Sequence, residues 1–169
     1  MIFILLFWRF QDNVFLFIKY STLFIFLIPI FFIDFYHRLI LDKLTIPLAI
    51  VGLAFALFPY NDISWLNALL TGVGVLVLML LIAWLFEKVR HKEGMGGGDI
   101  KLLAALATFL GVLNLSFIIF FSSVIAVVAA LTASKTREQG VPFGPFLVIS
   151  NFIWIMFGYH FLGWYLGLL

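Results

Sequence analysis

"WLNALLTGVGVLVLMLLIAWLF", residues Trp65–Phe86, runs for 22 residues without one charged side chain. A helix rises about 1.5 Å per residue and a bilayer core is about 30 Å thick, so roughly 20 apolar residues cross it. This stretch is therefore read as a transmembrane helix, and five further spans follow from the same criterion on either side of it. Before it come Val14–Ile33, interrupted by Lys19, and Leu44–Tyr60. After it come Asp99–Leu113, short for a full span, then Leu115–Ser134, then a segment opening near Phe143 and running towards Leu169. The first residues, "MIFILLFW", are apolar for only eight positions before Arg9, and they read as a partial N-terminal segment. They have neither the basic start nor the long core of a secretory signal.

Composition agrees. Of 169 residues, 65% are hydrophobic and only 11% charged, and the mean hydropathy is +1.22. The expected class is an all-α polytopic membrane protein with about six spans, organised as one membrane-embedded domain: 1–13 the partial segment, 14–169 a six-helix core, with the lipid bilayer as its surroundings. There is no cysteine, so disulfides and thiolate metal sites are excluded. His37, His91 and His160 do not form a ligand-spaced set, and neither a metal, a cofactor nor a nucleic-acid partner is expected.

The connections alternate in charge. Arg38 and Lys43, then Lys88, Arg90, Lys92 and Lys101, then Lys135 and Arg137 make eight of the ten basic residues, all on one side if the helices alternate. The opposite connections, "NDIS" (Asn61–Ser64) and "VLNL" (Val112–Leu115), have none, and the exceptions are Arg9 and Lys19 near the outer start of the first span. The positive-inside rule makes the basic side cytoplasmic. Asp34 then ends the first span and Asp99 opens the fourth, on that same side and at similar depth. An acid immersed in a membrane domain costs on the order of 3 kcal/mol and needs a partner or a function.

Two readings of these acids stand side by side. Asp99 suits a helix N-cap, and Asp34 suits a boundary residue paired with His37 or Arg38. Asp42 and Asp62 read as loop acids. "EGMGGGDIKLL" (Glu93–Leu103) supports a functional reading instead. A cap needs one flexible residue, whereas Gly96, Gly97 and Gly98 clear every side chain beside Asp99, allowing positive φ or the close approach of another backbone. Two carboxylates held close resist ionising together, so such a pair shares a proton. One member takes a proton from water and the other donates to the carbonyl under attack, without a metal.

Three segments carry a family resemblance. "GMGGGDIKLLAALATFLG" (Gly94–Gly111) resembles the GxGD segment of the type IV prepilin peptidases, intramembrane aspartyl proteases, with Gly96-Gly97-Gly98-Asp99 as the tetrapeptide. "FIDFYHRLILDKLTIPL" (Phe32–Leu48) resembles that family's first-aspartate motif, and "VPFGPFL" (Val141–Leu147) the opening of its last helix. Leu41 stands where the family usually has proline, and Tyr36 where a further acid is common. The resemblance covers roughly Ile33 to the C-terminus. It implies Asp34 and Asp99 as catalytic residues, with Pro142, Phe143, Gly144 and Pro145 shaping the site or simply starting the last helix. Lys101 is expected either to tune the pair or to anchor its helix at the interface.

The implied activity is removal of the leader from type IV pilin-like or pseudopilin precursors, at the cytoplasmic face of a bacterial inner membrane. Asp42, Glu87, Glu93 or Glu138 would meet the basic leader, or would be no more than solvated acids. Larger family members carry a cytoplasmic region with paired cysteines and also methylate the trimmed product using S-adenosylmethionine. With no cysteine and with connections of about ten, twelve and eight residues on the cytoplasmic side, this chain is expected to lack that second activity. A catalytically inactive assembly or scaffold protein derived from the same fold is the alternative.

Overall fold

The computed structural model describes residues 1–90, 96–132, 142–165 and 167, with 159–165 as helical backbone alone. Of the residues singled out above, His91, Lys92, Glu93, Gly94, Lys135, Arg137, Glu138, Val141 and the side chain of His160 lie outside that description. The described chain is all-helical: α1 (Ile2–Arg9), α2 (Val14–His37), α3 (Asp42–Ala56), α4 (Trp65–Arg90), α5 (Gly97–Thr132) and α6 (Gly144–Tyr165). Three helices are long and apolar enough to cross a membrane, namely α2, α4 and α5, and Gly144–Gly158 is a shorter apolar one. The protein is a polytopic membrane protein.

Local chemistry sets the helix ends. Asn13 caps α2, its side-chain oxygen accepting the N–H of Leu16 at 3.1 Å. At the other end Arg38 takes a left-handed conformation (φ 53°, ψ 40°) and its N–H donates to the Asp34 carbonyl at 2.9 Å. α2 therefore continues one turn past the expected Ile33, and Asp34 lies inside it. The expected ten-residue connection shrinks to residues 38–41. Leu41, at φ −81° and ψ 131°, holds a backbone shape close to the one a proline imposes, so its departure from the family residue leaves the local path intact.

The expected fourth and fifth spans form a single element, α5, bent at Gly111 (φ 71°, ψ 172°). Side-chain contacts fix the direction of its two limbs. Near the start of α5, Gly98 lies against Ile40. Beyond the bend, Asn114 accepts the indole N–H of Trp154 at 3.1 Å, and Ser122 donates to the Phe146 carbonyl at 3.3 Å. Position 114 thus meets the later part of α6 and position 122 its start, so the second limb runs back antiparallel to α6. One residue performs the reversal expected of Val112–Leu115, and its positive φ requires glycine. With α5 counted as two limbs, the core after α1 has six helical passes, as the apolar segments predicted.

The first limb of α5 is the axis of the bundle: Leu102, Leu103, Leu106, Phe109 and Leu110 are buried. Thr108 sits where α3 and α4 approach it most closely. A methyl group at Gly52 would run into its hydroxyl, and one at Gly72 would come within 2.7 Å of its methyl. Small residues let helix backbones approach where lipid gives little hydrophobic drive for association. The Thr108 hydroxyl is satisfied at home, donating to Ala105 at 2.7 Å. α4 keeps Val73, Val77, Leu78, Leu81 and Ile82 exposed, a surface suited to lipid. α1 packs on α2 through Phe7–Phe17 and Phe10–Tyr20 ring contacts and buries Leu6 completely.

Candidate active site

Asp34 and Asp99 come to the same end of the bundle from different helices. Asp34, 5% exposed, sits in the last turn of α2. Its Oδ2 accepts the N–H of Gly144, the first residue of α6, at 2.9 Å. A Cβ at residue 144 would lie 2.5 Å from that oxygen and 3.1 Å from the carboxyl carbon, so the side-chain space of residue 144 is filled by Asp34 itself. Pro145 follows in the first turn, where its missing N–H leaves nothing unsatisfied.

Asp99 is the third residue of α5. The helix starts at Gly97, so Asp99 lies within its first turn and is not the N-cap that its sequence context also allowed. Its Oδ1 is buried and has no hydrogen-bond partner among the described residues. The charge of Asp34 acts on the Asp99 carboxyl, and that of Arg38 on Asp34. The two acids, 65 positions apart in sequence, thus form an electrostatic pair.

The three glycines divide their roles. Gly98 is the one that another backbone approaches: a Cβ there would meet the Ile40 Cβ at 2.8 Å and its carbonyl oxygen at 3.1 Å. The start of α5 is thereby pressed onto the short 38–41 link that follows Asp34. Gly97 faces open space, and Gly96 would bring a Cβ to 3.2 Å from the Asp99 Oδ2. Among the described residues only Arg38, Gly111 and Gly167 have positive φ, so what the run supplies is close approach at Gly98 and not turn geometry.

Lys101 is placed apart from the aspartate pair. It ion-pairs with Asp42 in the first turn of α3, at 2.8 and 2.7 Å to the two carboxylate oxygens, and both side chains are about half exposed. It ties α5 to α3, and Asp42 is correspondingly engaged within the chain. Pro142 and Phe143 precede α6 and are half-buried; Phe143 is the carbonyl acceptor for the N–H groups of Phe146 and Leu147, both at 3.1 Å. His37 is exposed, and no group of three His, Cys, Asp or Glu among the described residues could hold a metal ion.

A second buried polar cluster, which sequence reasoning missed, occupies the opposite end of α2. Lys19 is fully buried and ion-pairs with Asp62, and its ammonium also donates to the Asn61 side chain at 2.8 Å. The Tyr20 hydroxyl donates to the other Asp62 oxygen at 2.7 Å. Asp62 is thus not a free loop acid. The signal was present: a lone lysine in an apolar span demands an acidic partner, and the neighbouring outer connection offers one.

Comparison with known proteins identifies relatives of this chain. Residues 21–131 match the sequence pattern of the Type IV leader peptidase family. The chain is 37% identical over 133 residues to a prepilin leader peptidase/N-methyltransferase of Dichelobacter nodosus, covering 78% of this chain and 46% of that protein. It is 36% identical over 145 residues to the like-named protein of Legionella pneumophila, covering 83% and 50%, and 36% identical over 132 residues to that of Neisseria gonorrhoeae, covering 78% and 45%. The chain spans about half the length of these relatives. No solved structure matches it. The matched pattern takes in the whole run from α2 through the bend of α5, both aspartates included, and the protein belongs to the type IV leader peptidase family.

Proposed function

We propose that this chain is an aspartic endopeptidase that removes the leader from type IV pilin-like or pseudopilin precursors, with Asp34 and Asp99 as its acid–base pair. The observation that carries the reading is the pairing of two acids from α2 and α5 at one end of a membrane bundle, in a chain of this family. Peptide hydrolysis needs one group to take a proton from water and another to protonate the carbonyl oxygen, and two neighbouring carboxyls that share one proton supply both. Gly96 keeps a side chain away from the Asp99 carboxyl and Gly97 faces open space, which suits an extended peptide segment.

The site faces the cytoplasm of a bacterial inner membrane in this reading, because Arg38, Lys43, Lys88, Arg90 and Lys101 lie at the Asp34 end. A reporter or labelling assay that placed residues 88–98 outside would overturn that orientation. Methyl transfer, named for the relatives, is left out. The link after α2 has only four residues at this end, 38–41, little with which to build a pocket of ~300 Å³ for a nucleoside cofactor. Label passing from S-adenosylmethionine to the trimmed product, and lost on mutation of this chain, would reverse that part.

Co-expression with a candidate precursor tests the central reading. A faster-migrating product should form with the native chain and not with Asp99→Asn. An unprocessed precursor in both cases, across a panel of pilin-like substrates, would favour the inactive scaffold.

A further inference from the structure

We propose that a cavity at the Asp62 end of the bundle seats a phospholipid, with its phosphate on Arg9 and its acyl chains running on between α1 and α6. The proposal goes beyond the peptidase reading and does not depend on it.

Two basic residues, Arg9 and Lys19, stand apart from the eight that gather on the other side. A cation in a membrane domain calls for a partner. Lys19 has one in Asp62. Arg9 is half-buried, yet it forms no ion pair among the described residues. Its Nε donates to the Met156 carbonyl at 3.4 Å, and its guanidinium carbon lies 5.2 Å from the centre of the Phe10 ring. The ring face attracts the cation, and the carbonyl fixes one edge of it. Both terminal amino groups are left without a protein acceptor among the described residues. Parallel N–H groups of a guanidinium fit two oxygens of a phosphate.

Arg9 lines a cavity of about 870 Å³, within the roughly 300–1,000 Å³ of small-molecule sites. Four helices wall it: Trp8 belongs to α1, Leu16 and Tyr20 to α2, Leu110 and Asn114 flank the bend of α5, and Met156 comes from α6. Most of the polar groups there are engaged within the protein. Asp62 receives Lys19 and the Tyr20 hydroxyl. Asn114 donates to the Leu110 carbonyl at 2.8 Å and accepts the Trp154 indole. Arg9 is the one cation among the described lining residues. Asp12, exposed at the rim, also has no ion pair among the described residues, which suits the ammonium of an ethanolamine headgroup.

Place and walls select a lipid over a free anion. The cavity begins where α1 ends and α2 starts, beside the exposed Asp12 and Asn13. Tyr20 is six residues into α2, about 9 Å along it at 1.5 Å per residue, so the cavity reaches from the helix ends into the apolar spans. A basic pocket between membrane helices is suited to a phospholipid headgroup. Leu5, Ile155 and Phe157 continue the wall as apolar surface, and Phe157 is exposed on the outside of the bundle. A free phosphate would meet the cation and leave these walls uncovered. A seated lipid would join α1 to α6 and touch both sides of the Gly111 bend.

Native mass spectrometry of the full chain, released from detergent, reads the occupant directly. Titrated phosphatidylethanolamine is expected to leave one retained lipid per chain, whereas the diacylglycerol with the same acyl chains and inorganic phosphate are not retained. Arg9→Gln should weaken retention by about tenfold or more, and Lys88→Gln, at the other end of the bundle, should leave it unchanged. Unaltered retention in Arg9→Gln, or diacylglycerol held as firmly as the phospholipid, overturns the proposal. Inorganic phosphate retained in place of the lipid overturns it too, as the mark of a plain anion site. Should Arg9→Gln fail to insert, the native chain decides alone. Phosphatidylethanolamine with a photoreactive acyl chain should crosslink within residues 5–16 and 154–158, and excess unlabelled phosphatidylethanolamine should suppress those crosslinks. Crosslinks confined to the exposed face of α4 would reject the site. Leader cleavage enters none of these readouts.

Discussion

At the Asp62 end of the bundle, a carboxylate receives a buried ammonium and a tyrosine hydroxyl, and the ammonium is shared with Asn61. At the Asp34 end, Asp34 accepts one backbone N–H and the inner oxygen of Asp99 has no partner among the described residues. Both clusters place charge in a membrane domain, roughly 22 Å apart along α2 at 1.5 Å per residue. In the first, each group is answered by another. The second leaves the Asp99 Oδ1 without a partner among the described residues, which suits the proton transfer proposed for it. Satisfaction of polar groups, more than their burial, separates the two clusters.

The widest gap between the two ends should appear in activity. Asp34→Asn and Asp99→Asn are each expected to reduce leader cleavage by at least the roughly 10²–10⁴-fold that one acid–base group contributes, with the variant still inserted and folded. Gel-shift processing alongside circular dichroism reads both properties. Full activity in either variant would break the comparison at its Asp34 end.

Next in size is the Asp62 end. Lys19→Met removes one member and leaves Asp62 and Tyr20 facing each other, at an expected cost of about 3–5 kcal/mol. Thermal unfolding in detergent should show a large drop, while cleavage per folded molecule stays close to native. Joint replacement, Lys19→Met with Asp62→Leu, should recover part of that loss because no orphaned charge remains. A double variant no better than the single one would deny that the cluster acts as a unit.

Adjacent glycines give a finer contrast. Gly98→Ala forces a methyl group onto Ile40, and overpacking of this kind costs about 1–3 kcal/mol. Gly97→Ala meets nothing within 4 Å and gains up to about 1 kcal/mol of helix propensity. Paired thermal shifts of opposite sign would sharpen the picture of α5 pressed onto the 38–41 link; equal shifts would contradict it.

The smallest effect belongs to Lys101. Its pair with Asp42 is about half exposed, so Lys101→Ala should change stability by about 0–1 kcal/mol. A loss of activity far beyond that of Asp42→Ala would return Lys101 to the tuning role that its sequence position suggested.

Much of this architecture was legible because lipid imposes so simple a rule. Six apolar passes, their start at Val14 and Trp65, and the placing of Asp34 and Asp99 on one side at similar depth all follow from segment length and charge alternation. What escaped was contact at the ends. Nothing in "LNL" or "FLG" announces that Gly111 alone reverses α5, since that depends on a single backbone torsion. The Gly144 residue was expected near the site, but its donation to Asp34 requires the register of α6 against α2, which no local pattern encodes. Lys19 with Asp62 is readable in principle from their shared side of the membrane, although each residue alone is ordinary at its position.

The bond between Asp34 and Gly144 also sets a clock. Its two partners are 110 residues apart in the chain, and ribosomes add roughly 5–20 residues per second. A nascent chain therefore carries Asp34 for roughly 5–20 seconds before its donor has been made. Asp99 is synthesised within that interval, so both acids exist for a time without the helix start that holds one of them. A ribosome-bound chain that stops short of α6 holds both aspartates without the N–H that Asp34 accepts.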